Sequence, residues 1–206
     1  EIGKEDLLEP LNRQAMRLVS DVASEFDDRP LVAGNLANTN HYRPDDADTS
    51  AQVRAMFAEQ AGWAAEEGAD VIIGETFYFA GEALLALEVI KELGLPAIVT
   101  LALPARGRLL DDVTVEDACA RLEDAGADVV GMNCFRGPDT MLDPLGRIVE
   151  RVSVPVAALP VAYRTTEAHP TYLDLPDPQA RVAPPWDQTF PLALEPNLTT
   201  RFEVAA

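Results

Sequence analysis

The chain has 206 residues, 48% of them hydrophobic, and carries 35 Asp+Glu against 16 Lys+Arg for a formal net charge of −19. Acidity on that scale repels a phosphate backbone and argues against nucleic acid as a partner, and no run of ~18 apolar residues is present to span a membrane as a helix. A highly solvated surface accounts for the charge, and two cysteines without a signal-like amino terminus point to a reducing cytoplasm rather than a disulfide framework.

The chain opens on Glu1 rather than Met, which reads as processing or as a piece of a longer protein. Leu8, Leu11, Ala15, Leu18, Val19 and Val22 then recur at helical spacing, so residues 8–26 are expected to form an amphipathic helix. Pro30 starts the short apolar run Leu31-Val32-Ala33-Gly34, a strand ending in polar Asn35 and Asn38-Thr39-Asn40. Thr49 or Ser50 is placed to cap a second helix carrying Val53, Met56, Phe57, Ala61 and Ala64, after which Gly68-Ala69-Asp70 turns into Val71-Ile72-Ile73-Gly74-Glu75. A third helix with Leu84, Leu87, Ile90 and Leu93 leads through Gly94 and Pro96 to Ala97-Ile98-Val99-Thr100-Leu101. Thr114-x-x-Asp117 resembles a capping box for a fourth helix with Val115, Ala118, Cys119 and Leu122 inward. Gly126-Ala127-Asp128 then introduces Val129-Val130-Gly131-Met132-Asn133-Cys134, and a fifth helix over about 143–152 precedes Val156-Ala157-Ala158-Leu159-Pro160.

The two Gly-Ala-Asp turns lie 58 residues apart with one strand between them, so one strand plus one helix repeats about every 29 residues. Continuous apolar strands in strict alternation with helices mean a parallel α/β sheet, and the regular series favours the (β/α)8 TIM barrel over a doubly wound sheet. No G-x-G-x-x-G follows any strand to support the doubly wound alternative. Five strand candidates fall short of the eight that close a barrel, so the barrel is expected to be incomplete, with 1–206 as one partial domain. From about 165 to 196 seven prolines stop the alternation, which reads as a long loop of the kind that serves as a lid, and residues 198–206 read as the start of a helix.

Chemistry in parallel α/β folds gathers at the carboxyl ends of the strands, and there the layout presents Asn35, Glu75, Asn133, Cys134 and Tyr163. Glu75 can hold a substrate ammonium or act as a base; the structural alternative is a rim ion pair with Arg106 or Arg136. Cys134 is a candidate nucleophile or zinc ligand, although no paired histidine and carboxylate accompanies it, and a small core cysteine is the alternative. Cys119 reads as core, and His41 and His169, lone loop histidines, read as surface residues.

Val32-Ala33-Gly34, Gly74-Glu75-Thr76, Gly131-Met132-Asn133-Cys134, and Pro160-Val161-Ala162-Tyr163 with Leu194-Glu195-Pro196 resemble, in order and at fitting spacings, the homocysteine S-methyltransferase family, closest to its betaine–homocysteine branch. The resemblance implies a zinc-binding barrel that transfers a methyl group from an onium donor to homocysteine, giving methionine. It implies that Cys134 is one of three cysteine ligands of zinc, and that Glu75, Asn133 and Tyr163 contact the substrates. No counterpart of the family's adjacent cysteine pair, or of its amino-terminal Asp-Gly-Gly segment, is present, so the chain corresponds to about strands three to seven and is expected to be inactive alone. Thr76 stands where the betaine branch has an aromatic residue, a role that falls to Tyr78, Phe79, Tyr163 or Trp186. A non-catalytic relative that binds a small amino acid is the second reading; a lyase or aldolase ranks last, because no lysine ends a strand.

Overall fold

In a computed structural model of the chain, the described residues are 3–175 and, as backbone, Arg181–Ala183 and Gln188–Phe190. The two Gly-Ala-Asp turns perform the same local task at two places, and together they set the register of the sheet. Gly68 (φ 86°) and Gly126 (φ 96°) end their helices in the left-handed region, and the next amides, Ala69 and Ala127, donate back to the carbonyls of Ala64 and Leu122, each at 3.0 Å. The Asp70 N–H then donates to Val32 O (2.8 Å) while its Oδ2 accepts the Val32 N–H (2.7 Å). Asp128 repeats this on Ala97, at 2.9 and 2.8 Å. Each aspartate therefore grips the backbone at the start of the neighbouring strand with both its main chain and its side chain.

The elements alternate as expected: α1 (Leu8–Ala23), β1 (Ala33–Ala37), α2 (Ala47–Glu66), β2 (Val71–Phe77), α3 (Ala80–Glu92), β3 (Ala97–Leu101), α4 (Val115–Asp124), β4 (Val129–Asn133), α5 (Pro138–Arg151) and β5 (Val156–Leu159). The five strands form one parallel sheet in the order β1-β2-β3-β4-β5. An order that never reverses is that of a barrel and not of a doubly wound sheet, and among the described residues five parallel strands of the eight needed for closure make it an incomplete (β/α)8 barrel. One face of the sheet sends Leu36, Ile72, Val99, Leu101, Val130 and Met132 into a core closed by Phe57, Ala83, Leu87, Ile90, Ala118, Leu122 and Ile148. By the two-residue period of a strand, Asn35, Ile73, Glu75, Ile98, Thr100 and Asn133 occupy the opposite, concave face. Gly131 is required there: a Cβ would lie 2.0 Å from Ala157 O on the adjoining strand.

Several boundaries differ from the sequence expectation. Strand β1 starts at Ala33 rather than Leu31, because its pairing begins opposite Val71. Helix α2 is capped by Asp46, whose side chain accepts from Asp48 and Thr49 N–H, and not by Thr49 or Ser50. Helix α5 starts at Pro138, five residues before the expected Asp143, and runs through Pro144. Pro138 fits because the first helical position needs no donor, and Thr140 O, which Pro144 cannot bond, accepts instead from Arg136 Nη1 (3.3 Å). In α1 only Met16 and Ala23 are buried, and the stripe of Leu8, Leu11, Leu18, Val19 and Val22 lies open. The proline-rich stretch is not all loop: a 3-10 turn spans Tyr172–Asp174, and β6 (Arg181–Ala183) pairs antiparallel with β7 (Gln188–Phe190). Trp186, the Leu194-Glu195-Pro196 segment and the expected helix at 198–206 lie outside the described residues. Among the described residues no helix is long and apolar enough to cross a membrane.

Candidate functional site

Pairing between β2 and β3 holds to Gly74↔Val99 and resumes only at Phe77↔Leu101, so Glu75 and Thr76 form a bulge at the end of β2. Thr76 has φ 62°, a left-handed conformation that a β-branched residue rarely adopts. Its polar groups explain how it is held. The Thr76 N–H donates to Asn133 Oδ1 (2.9 Å), its Oγ1 accepts from Asn133 Nδ2 (2.6 Å), and its carbonyl accepts from Asn38 Nδ2 (2.8 Å).

Asn133, last residue of β4 and 4% exposed, is the centre of this arrangement. Its Oδ1 also accepts from Thr100 Oγ1 (3.0 Å), and its Nδ2 also donates to Glu75 Oε2 (3.2 Å). Two donors and two acceptor positions are the whole capacity of an amide, and all are used. The other Glu75 oxygen accepts from Asn35 Nδ2 (2.9 Å), so two neutral amides hold the carboxylate from two strands without cancelling its charge. The rim ion pair offered as the alternative does not form. Arg106 donates to the carbonyls of Arg108 and Leu109, and Arg136, 7% exposed, to those of Leu103 (3.1 Å), Pro104 (2.9 Å) and Thr140.

Beyond Asn133 the chain turns sharply, with Cys134 (φ 55°) and Phe135 (φ 54°) both left-handed. The Cys134 N–H extends the ladder to Leu159 O (3.0 Å), and the residue is half-buried. Burial pushes its thiol's pKa up and the Glu75 charge adds to the rise, against a hydrogen bond from the Phe135 backbone. Cys119 is fully buried with its Sγ 4.0 Å from Gly131 O, and its pKa is pushed up to about 12 by desolvation, as befits a core residue. His169 is exposed as expected. His41 is partly exposed and also lies at the surface, with Nε2 2.6 Å from Gln52 Oε1 in an exposed contact.

A run of rings borders the thiol. Tyr78 stacks on Phe135 (centroids 5.3 Å, planes 9° apart), Phe135 leans on Tyr172 (6.3 Å), and Tyr172 stacks on Tyr163 (5.7 Å). Tyr163 thus joins the rim through Tyr172 from a position past the end of β5, whereas Phe79 packs edge-on against Tyr42 at 5.4 Å. The structure brings together Asn35, Glu75, Asn133 and Cys134, with Tyr163 one ring removed. Asn38, Thr100 and Tyr172 were missed by sequence reasoning. The amide and the hydroxyl look like ordinary polar residues in sequence, and Tyr172 sits among prolines with no periodicity to place it. A held carboxylate, flat aromatic faces and a thiol on one rim suit a small cationic molecule. Among the described residues no three His, Cys, Asp or Glu converge, so they offer a metal one soft ligand and do not complete a site.

A family model for homocysteine S-methyltransferase matches residues 1–188. A betaine–homocysteine S-methyltransferase 1 from Xenopus tropicalis is 32% identical over 200 residues, covering 94% of this chain and 45% of the relative. An S-methylmethionine–homocysteine S-methyltransferase from Pongo abelii is 29% identical over 210 residues, covering 99% of this chain and 53% of that one. The chain spans about half the length of these relatives. In fold it is similar to the Escherichia coli homocysteine methyltransferase MmuM. The apo form matches with a TM-score of 0.58 at 16% identity over 77% of this chain and 62% of the other. The metallated form matches with a TM-score of 0.57 at 18% identity over 72% and 57%.

Proposed function

The chain belongs to the homocysteine S-methyltransferase family, and from that premise we propose that the protein carrying it transfers a methyl group from an onium donor, betaine-like or an S-methyl sulfonium, to homocysteine. The homocysteine thiol gives up its proton to solvent, and the thiolate's lone pair forms the new S–CH3 bond as the donor's N–CH3 or S–CH3 bond breaks, its electron pair leaving with the donor as a neutral amine or thioether. Methionine is the product. The observation that carries this reading is the amide-held Glu75 beside Cys134 on a rim of stacked rings.

In this reading Glu75 takes a substrate ammonium, Asn133 fixes Glu75 and the strained Thr76, and Tyr163 lines the donor side. The ring faces favour a donor that carries positive charge, because a cation over an aromatic face is attracted by the ring quadrupole, worth about 0.5–2 kcal/mol. Cys134 is one ligand of a zinc ion. The chain contains only Cys119 and Cys134, and Cys119 is sealed in the core, so two further cysteines have to come from outside it and the chain alone is inactive. Residues 1–206 form one partial barrel domain, and the protein works in the cytoplasm on small molecules.

The test is methionine formation from homocysteine with betaine and S-methylmethionine supplied separately, with zinc measured alongside. The protein carrying this chain should form methionine with one donor at least. Cys134→Ala should abolish transfer, whereas Cys119→Ala should keep it and lose ~1 kcal/mol of stability. Full activity in the Cys134 variant, or no methionine from either donor with zinc-loaded protein, would leave the non-catalytic amino-acid binder as the better reading.

A further inference from the structure

Glu82 lies on α3, off the rim, yet the residue is only 1% exposed. As the third residue of α3 it is placed to accept from its own helix's first amides. It does not. The Gly81 N–H donates to Asp111 Oδ2 (3.1 Å), and Glu82 reaches across to the loop after β1, where its Oε1 accepts both the N–H (2.8 Å) and the Oγ1 hydroxyl (2.6 Å) of Thr39. Burial raises its pKa, and the two Thr39 hydrogen bonds pull the other way. Taking a carboxyl group out of water is unfavourable unless its partners are well placed, so the partners are the place to look for its role.

Thr39 is joined to Asn38, and Asn38 Nδ2 is the donor to the Thr76 carbonyl. We propose that Glu82 is a positioning residue for the rim: by clamping Thr39 it fixes Asn38, and Asn38 holds the left-handed bulge at Thr76 that aims Glu75 and Asn133 at the substrate. The strain at Thr76 gives the contact its importance. A β-branched residue at φ 62° persists only while its surroundings over-determine it. Asn133 holds the amide side of Thr76 and Asn38 holds the carbonyl side. Losing the second lets the peptide relax toward a regular strand, and a one-residue change of register turns side chains to the opposite face. Glu75 would then leave its two amides. The functional part of this inference rests on the methyl-transfer reading; the structural part does not.

The experiment compares Glu82→Gln, which keeps an acceptor for Thr39, with Glu82→Leu, which removes it, and with Asn38→Ala, in the protein carrying this chain. Hydrogen exchange over residues 71–79, the homocysteine KM and kcat, and the melting temperature are read for each. Glu82→Leu and Asn38→Ala should each speed exchange at Thr76 and raise the homocysteine KM by about tenfold, the scale set by one lost hydrogen bond, with the larger effect on KM. Glu82→Gln should restore both, and the Glu82→Leu/Asn38→Ala double variant should be no worse than the poorer single one, because both break one chain of contacts. Ile148→Ala, on the buried face of α5, should lower the melting temperature without moving Thr76 exchange. If Glu82→Leu does not fold, Thr39→Val carries the same expectation with a smaller shift. Unchanged Thr76 exchange in Glu82→Leu, equal changes in Ile148→Ala, or additive single effects overturn the proposal. Absence of methionine formation in the unaltered protein removes the methyl-transfer reading while the exchange data still decide the role of Glu82.

Discussion

Asn133 joins three strands through one side chain. Its amide contacts Glu75 and Thr76 of β2 and Thr100 of β3 from the end of β4, so no other side chain of similar volume can replace it. Asn133→Leu preserves bulk and leaves the Thr76 N–H and the buried Thr100 hydroxyl without partners. Each such group costs about 1–3 kcal/mol, so denaturant unfolding should show a loss of at least ~2 kcal/mol. Asn133→Asp distinguishes packing from charge. It keeps the acceptor for Thr76 and Thr100 but places a carboxylate against the Glu75 Oε2, now 3.2 Å from an amide nitrogen, and should loosen Glu75 by repulsion. In the proposed methyl-transfer reading, homocysteine binding by the protein carrying this chain, measured by calorimetry, should weaken more in Asn133→Asp than the stability loss alone accounts for. Equal binding in the two variants would count against a role for Glu75 in holding the substrate. The position of Asn133 was legible in sequence, because an apolar run ending in Asn-Cys marks a buried strand delivering polar groups to one rim. The hydrogen-bond partners were not. A bulge with a left-handed threonine violates local preference, and it exists only because distant residues, Asn38 and Asn133, meet it in space.

The repeated turns carry the same lesson at the scale of elements, and they make a pH prediction. Asp70 and Asp128 each accept a backbone N–H from the start of an adjacent strand and face a cation, Arg29 (2.9 Å) and Lys91 (3.1 Å). In both, the backbone hydrogen bond is the largest cause of a lowered pKa, with the cation adding to it. A carboxylate whose folded pKa lies below its unfolded value of about 3.9 stabilises the fold above that value and loses its contribution as pH falls through the folded pKa. Asp70→Asn and Asp128→Asn should therefore be less stable than the unaltered chain at pH 7, and the gap should begin to shrink below about pH 4 and close as pH falls through the lowered folded pKa. Urea midpoints at pH 7, 5, 3.5 and 2 check this; a gap as wide at pH 2 as at pH 7 would mean that the turns act by shape alone. Gly-Ala-Asp was readable as a repeat because a left-handed glycine ends a helix wherever it occurs. The start of α5 was not, because Pro144 argues against a helix in sequence and the remedy, a guanidinium at Arg136 bonded to the freed carbonyl of Thr140, comes from outside the helix.

For the whole molecule, the decisive feature is the apolar surface left at the two ends of the sheet. At the β1 end Leu8, Leu11, Leu18, Val19 and Val22 of α1 are 44–64% exposed, and a groove of about 490 Å³ runs between α1, β1 and α2, walled by Met16, Val19, Ala33, Asn35, Met56 and Gln60. At the β5 end Leu142, Val149 and Leu159 are 62%, 60% and 55% exposed. Strands of a parallel sheet are normally covered on both faces, and an open edge presents unpaired backbone groups to any other chain. Fully burying one leucine or valine contributes about 1.5–3 kcal/mol, so a few of these side chains suffice to drive association at micromolar concentration. The formal charge of −19 opposes it. Repulsion between exposed charges is screened over about 10 Å at 0.1 M salt, so added salt weakens the opposing term and leaves the apolar term in place. The 206-residue chain should therefore be mainly monomeric at low ionic strength and shift to larger species as salt rises, read by light scattering on a sizing column against the monomer mass of 22.3 kDa. The triple variant Leu11→Glu, Leu18→Glu, Val22→Glu should remain monomeric across the same range and keep its helical circular dichroism, because the buried residues of α1 are Met16 and Ala23. Association that falls with salt, or that survives the triple variant and also substitution of Leu142, Val149 and Leu159, would assign the contact to charge or backbone edges and not to these apolar faces.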